Sequence, residues 1–435
     1  MATSSQIEKF KISAAMTIRL FFYLGSMKSL SVILNDTVSQ TRGSIPLVAL
    51  SFSILQGVAY VAAPPVIRLM KVFSSRTIVV VGGFLVGAGF ICEAFLVSNL
   101  WTLYISIIIS GVGFGLNNIP LYIAISDSFG DSFGTVMSVT GFFANIGIAV
   151  VPPLLEYWRE KYGLAGALTL FGAFMWNQIL SGVLIQSKAN TEHSNDDKYN
   201  PIRDEEGDDI LPSQPEESAT AAKNSGGIYQ AIVSHPTMLC LYAAQFFHMF
   251  VFTSWSIFLL PYGVEKGYEQ GDAVLLSTFG GSGILLGRAV IMFVFYLKWQ
   301  SSVVVIVLPN VLLMATFVLT IFTQKFFSLC FESCVMGICL GYTTSWMFCY
   351  GKDIACLPHF NSTAAWSMLC LGFGVTFSAG ISGFIHDIRG AYVDVFLFMT
   401  ILVAVKIVFI IASISFTRRN PSCYYGDTRK KGVNP

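Results

Sequence analysis

The sequence predicts an all-α integral membrane protein whose twelve transmembrane helices divide into two six-helix bundles. Three observations carry this reading. Hydrophobic residues make up 54% of the 435 and charged residues only 12%, which is more apolar surface than a soluble domain buries. Twelve segments each approach the roughly 20 apolar residues needed to cross the hydrocarbon. A long polar break separates the sixth from the seventh.

The first six segments run approximately over 12–34, 46–68, 77–97, 100–126, 133–155 and 164–186, and the second six over 235–263, 271–297, 302–324, 328–350, 362–384 and 391–416. The break, 187–230, is acidic, rich in Ser and Pro, and unable to bury enough surface to order itself. The expected organisation is an N-terminus over 1–11, a bundle over 12–186, a linker over 187–230, a second bundle over 231–416 and a tail over 417–435. An even number of passes puts both termini on one side. Lys and Arg favour that side, sixteen against six, which predicts cytosolic termini. The first segment is followed by no small-residue cleavage site and reads as a retained span. Gly83, Gly87, Gly111 and Gly115 read as points of close helix packing, and Pro64-Pro65 and Pro152-Pro153 as bends.

The nine cysteines show no CxxC or Cys/His spacing and read as small buried hydrophobes without a metal site. The sequence holds no Gly-rich phosphate loop, no basic tract for nucleic acid, and no nucleophile–base set outside the apolar segments. An enzyme is therefore not expected, and neither is a cofactor.

Six plus six spans about a linker suggest the major facilitator architecture, with a substrate path between two bundles. Four motifs go further: "MKVFSSRTIVVVGGFLVGAG" between the second and third spans, "GVGFGLNNIPLYIAIS" in the fourth, "KYGLAGALTLFGAFMWNQILSGVLI" into the sixth, and "FLLPYGVEKGYEQGDAVLLSTFGGSGILLGR" from the seventh through the eighth. In this order and spacing the chain resembles the monocarboxylate transporter family of the major facilitator superfamily, from about residue 12 to residue 416.

Arg288 sits deep in the eighth segment, and an arginine within a span marks a functional site unless it pairs with an acid to lock two helices. It matches the arginine that, in the family this chain resembles, binds the substrate carboxylate. Lys28 in "YLGSMKSLSVIL" matches that family's Lys-Ser in the first helix and is the expected second anion site; its alternative is snorkelling to the outer headgroups. Asn117 and Asn145 are candidates for the substrate path or for interhelix hydrogen bonds. Glu332 and His248 are candidates for proton coupling, and Arg76 and Asp353 for gating at loops. Lys406, central in the last span, has no account.

Two departures bear on coupling. The proton-coupled members of the family carry an aspartate one turn before the arginine of the eighth span, where this chain has Ile284. Members that carry aromatic amino acids or thyroid hormones instead have an aspartate in the tenth span, where this chain has Leu340. The resemblance implies a secondary transporter of small organic anions, monocarboxylates first, with Arg288 and Lys28 as the binding cations. Its alternatives are a facilitator of amino acids or other zwitterions, and a membrane sensor that keeps the fold without transport. The expected partners are the bilayer, the anion and a single-span ancillary membrane glycoprotein, and the expected site is the plasma membrane.

Overall fold

The computed structural model describes residues 4–30, 32–43, 45–96, 99–185, 236–297, 299, 303–354 and 360–419. Among these there are helices and no strands. The linker over 187–230 and all but the first residues of the tail lie outside them. The first half comprises α1 (Ser4–Ser29), α2 (Leu34–Thr41), α3 (Ile45–Val61), α4 (Ala63–Leu69), α5 (Ser75–Leu96), α6 (Leu100–Phe129), α7 (Phe133–Ala144), α8 (Ile146–Met175) and α9 (Ile179–Leu184). The second half comprises α10 (Pro236–Glu265), α11 (Gln270–Tyr296), α12 (Val303–Phe322), α13 (Phe326–Ile354), α14 (Phe360–Arg389) and α15 (Tyr392–Arg419).

Nine runs among the described residues are long and apolar enough to cross a membrane, and α3 with α4 adds a tenth as a pair bent by 40°. The bend lies where Pro64 and Pro65 remove two backbone donors from the helix. The 52-residue run Phe133–Leu184 turns back at Gly163, whose φ of 69° breaks the helix, so it supplies two passes. That positive φ suits glycine, which has no Cβ to clash. The twelfth pass is α1, less apolar because it carries Arg19 and Lys28.

Two boundaries differ from the hydropathy reading. α1 begins at Ser4, eight residues before the apolar segment, because Gln6, Glu8, Lys9 and Lys11 favour a helix although they are polar. It also stops at Ser29, and the separate α2 follows. The second difference concerns the fifth pass, which is interrupted at Asn145, about two turns before Pro152-Pro153. Local capping is conventional elsewhere: Asn99 accepts hydrogen bonds from the backbone N–H groups of Trp101 and Thr102 at 3.0 and 3.1 Å and starts α6.

Within each half, small residues let backbones meet. A Cβ on Gly83 would lie 2.8 Å from the Ile179 nitrogen, and one on Gly111 2.9 Å from the Leu55 carbonyl. The tightest seam joins α11 to α13. A Cβ on Gly283 would overlap the Cys334 carbonyl, one on Gly287 the Ile338 carbonyl, and one on Gly337 the Gly280 carbonyl. In lipid such close approach supplies the dispersion energy that holds helices together, since the tails are as apolar as the side chains. Outward-facing Phe84, Ile105, Leu286, Phe293 and Phe331 are correspondingly exposed.

The seam gives a paired prediction. Gly283→Ala should destabilise the protein by roughly 1–3 kcal/mol through overpacking. Gly281→Ala, where a Cβ meets nothing within 4 Å, should be neutral or stabilising by up to about 1 kcal/mol from helix propensity. Thermal melting of the purified variants checks this, and equal shifts for the two would contradict the seam.

Candidate functional site

Between the two halves lies a cavity with about 110 Å³ of free space, room for about four waters at ~30 Å³ each, or one small solute. Its first wall comes from α1, α3, α6 and α7, with Arg19, Tyr23, Gln56, Tyr60, Asn118, Tyr122 and Gly141; its second comes from α10, α11, α13 and α14, with Met249, Phe252, Arg288, Thr344, Ser345, Phe348 and Met368. No Asp or Glu is among the lining residues.

Arg288 occupies the centre of this arrangement for a local reason. Gly287, its neighbour, faces the α13 seam, and the 100° turn per helical residue carries the next side chain off the seam. Its Nη1 donates to the Gly141 carbonyl of the other half at 3.0 Å. The same carbonyl accepts from Asn145 Nδ2 at 2.7 Å. Arg288 Nε is buried without a partner. Arg288 forms no ion pair with a described residue, unlike Arg159, which pairs with Asp36 and Glu156, so the alternative of a helix-locking acid finds no acid among the described residues.

The other candidates are distributed differently. Lys28 is exposed in the last turn of α1 and does not line the cavity; a cation there also suits the negative end of the helix dipole. The guanidinium that shares the cavity from the first half is Arg19, which the sequence reading passed over. Asn117 is fully buried and donates to Gln178 Oε1 at 3.2 Å, inside the first half. The asparagine on the cavity wall is its neighbour Asn118, with Nδ2 3.5 Å from Met368 Sδ. Asn145 acts through the Gly141 carbonyl it shares with Arg288.

His248 is buried, and its Nε2 is 2.8 Å from the hydroxyl of the cavity residue Thr344. Glu332 lies away from the cavity, accepting from Thr320 and Thr323 at 2.9 and 2.6 Å. Beside it Lys266, in the loop after α10, donates to the carbonyls of Thr320 and Thr323. Burial lowers the Lys266 pKa, against the carboxylates of Glu332 and Glu265. Ile284 and Leu340, the positions of the two missing acids, both lie off the cavity wall; Ile284 packs by its backbone on Gly337 and Gly341, and Leu340 is fully buried.

Arg76 and Asp353 are exposed. Among the contacts that span the halves at this end are those of Lys352, next to Asp353. Its ammonium donates to the carbonyls of Ser126 at 3.0 Å and Gly130 at 2.8 Å and lies 4.4 Å from the Phe133 ring centroid. Tyr122 donates to the Phe348 carbonyl at 3.2 Å nearby. Lys9 sits 5.7 Å over the Phe129 ring, and Tyr350 bonds Thr417, so this is the end that carries both termini. The two halves touch there.

Lys352→Ala should weaken the closure by on the order of 1–2 kcal/mol, the worth of charge-assisted hydrogen bonds in a half-buried setting. Maleimide labelling of Cys349, which is 6% exposed beside the closure, should rise on mass-spectrometric readout. Unchanged labelling would show that Lys352 does not hold the halves together.

Residues 16–355 match the sequence model of the Major Facilitator Superfamily. Among curated proteins, monocarboxylate transporter 2 of Mesocricetus auratus is 23% identical over 268 residues, 61% of this chain and 54% of that protein. Monocarboxylate transporter 1 of Bos taurus is 20% identical over 386 residues, 84% of this chain and 76% of that protein. The chain thus spans about half the length of the first of these relatives. Among solved structures, the E. coli fucose:proton symporter superposes with a TM-score of 0.67 at 16% identity, covering 92% of this chain and 98% of the symporter. That likeness concerns the fold.

Proposed function

We propose that the chain, which belongs to the Major Facilitator Superfamily and is a membrane transporter rather than an enzyme, carries small organic anions by alternating access, with Arg288 holding a carboxylate. The observation that carries this reading is a guanidinium on the wall of the cavity between the halves, with no acid to neutralise it among the described residues. An arginine at membrane depth is costly unless protein, water or ligand compensates it, and its planar fork accepts a carboxylate bidentately. Relatives named as monocarboxylate transporters support carboxylates as the class.

The bond from Arg288 to the Gly141 carbonyl holds the fork across the two halves. An arriving carboxylate competes with that carbonyl for the same donor, which ties binding to the relation between the halves. Exposed Lys28, further along α1, raises the local concentration of anions on their way in. A zwitterion's amine would meet only hydroxyls, amides and aromatic faces, since the lining residues include no acid. The Lys and Arg bias supports cytosolic termini, and the family resemblance supports a plasma-membrane site and an ancillary glycoprotein.

Arg288→Ala should reduce uptake of a radiolabelled small carboxylate into proteoliposomes by at least about tenfold, as loss of a buried charged partner does, with normal yield of folded protein. Arg288→Lys should recover little, because a point charge replaces the fork. Undiminished uptake in the Ala variant would remove the anion site from Arg288.

Coupling gives a second test. A carboxylic acid of ordinary pKa, about 4, stays ionised between pH 6 and pH 7.5, and no lining carboxylate is present to load a proton beside it. Uptake should therefore change little across that range and should not run uphill on an imposed pH gradient. Accumulation driven by outside acid would contradict this and direct attention to His248, through Thr344.

A further inference from the structure

Arg288 shares its cavity with a second guanidinium on the opposite half. Arg19 of α1 lines the same space, is only 3% exposed, and lies with its Cζ 4.8 Å from the Tyr23 ring centroid. Its Nε, like that of Arg288, is buried without a partner. Neither group forms an ion pair among the described residues. Tyr60 lines the same cavity.

This charge count constrains the cargo. Arginine does not shed its proton in a protein, so an empty cavity holds two like charges that repel across a small volume of low dielectric. A monoanion balances one and leaves the other buried and uncompensated, which is costly. An anion with two charged ends balances both and bonds to both halves at once. The same lining includes Met137, Met249, Phe252 and Met368, apolar surface that suits a short hydrocarbon spacer better than a compact oxyanion.

We propose that the cavity is a two-point site for a small dicarboxylate, with Arg288 taking one carboxylate and Arg19 the other. This rests on the anion-carrier reading above and narrows it. Arg19 is then the residue that sets dianion over monoanion preference. Loading joins the halves through the substrate, and unloading restores the repulsion between them.

The test is calorimetric titration of the full-length chain in lipid nanodiscs with succinate and with butyrate, which have the same carbon count but two carboxylates against one. The wild-type chain should bind succinate at least about tenfold more tightly than butyrate, as a second desolvated charge contact gives. Arg19→Gln should weaken succinate far more than butyrate and so collapse the preference, Arg19→Lys should restore little of it because a point charge replaces the fork, and Arg288→Gln should weaken both ligands. A merely structural role for Arg19 would move both ligands together. Butyrate binding as tightly as succinate to the wild-type chain overturns the two-point site whether or not any variant folds, and leaves the anion carrier standing. If neither anion binds the wild-type chain, the anion-carrier reading falls, and the two-point site with it.

Discussion

An arginine in the membrane interior has to be solvated by something, and the arrangement around Arg288 follows from that need. The Gly141 carbonyl supplies one acceptor across the halves. It is shared with Asn145, whose side chain turns back to the same oxygen. The remaining coordination is left to the cavity, where the described residues offer hydroxyls, amides and phenols but no carboxylate. On the proposed reading, a site built this way is unsatisfied when empty and is completed by an entering anion. That is a physical basis for a carrier whose cargo takes part in the contact between its two halves.

The rest of the fold divides into parts that must not move and parts that can. Inside the second half, the glycine seam between α11 and α13 brings backbone against backbone, and Glu332 with Thr320 and Thr323 fastens α12 to α13 far from the cavity. Such contacts leave little room for sliding, so each half behaves as a rigid unit. Between the halves the hydrogen bonds gather at the end bearing the termini, around Lys352 and Tyr122. Each is individually modest and can be exchanged for water, but α3 and α14 also meet closely across the halves, where a Cβ on Gly372 would lie 3.0 Å from the Gly57 carbonyl.

Much of this was legible in the sequence because hydropathy reports length and burial in lipid directly. The twelve passes, the bend at Pro64-Pro65 and the exceptional character of Arg288 all follow from one charge or one proline in an apolar run. The direction in which a side chain points was not legible. Helices that are apolar all round lack the polar stripe that fixes the facing of a surface helix, so Asn117 and Asn118 could not be told apart, though one binds Gln178 and the other faces the cavity. The same ambiguity separated Asp353 from Lys352. Arg19 had the signal that singled out Arg288, a lone guanidinium in an apolar run, but it lies near the start of the first span, where cations read as flanking charges. Because α1 reaches back to Ser4, Arg19 in fact lies four turns into a continuous helix.

The central claim is that an anion completes the coordination of Arg288 between the two halves. A crystal structure of the chain with a bromine-substituted small carboxylate, phased on the bromine anomalous signal, tests it most directly. The account predicts a bromine peak inside the cavity bounded by α1, α7, α11 and α13, with carboxylate density on the Arg288 guanidinium and the bond to the Gly141 carbonyl lengthened or broken. A bromine peak elsewhere, with Arg288 still bonded to Gly141 and the cavity filled only by water, would contradict it.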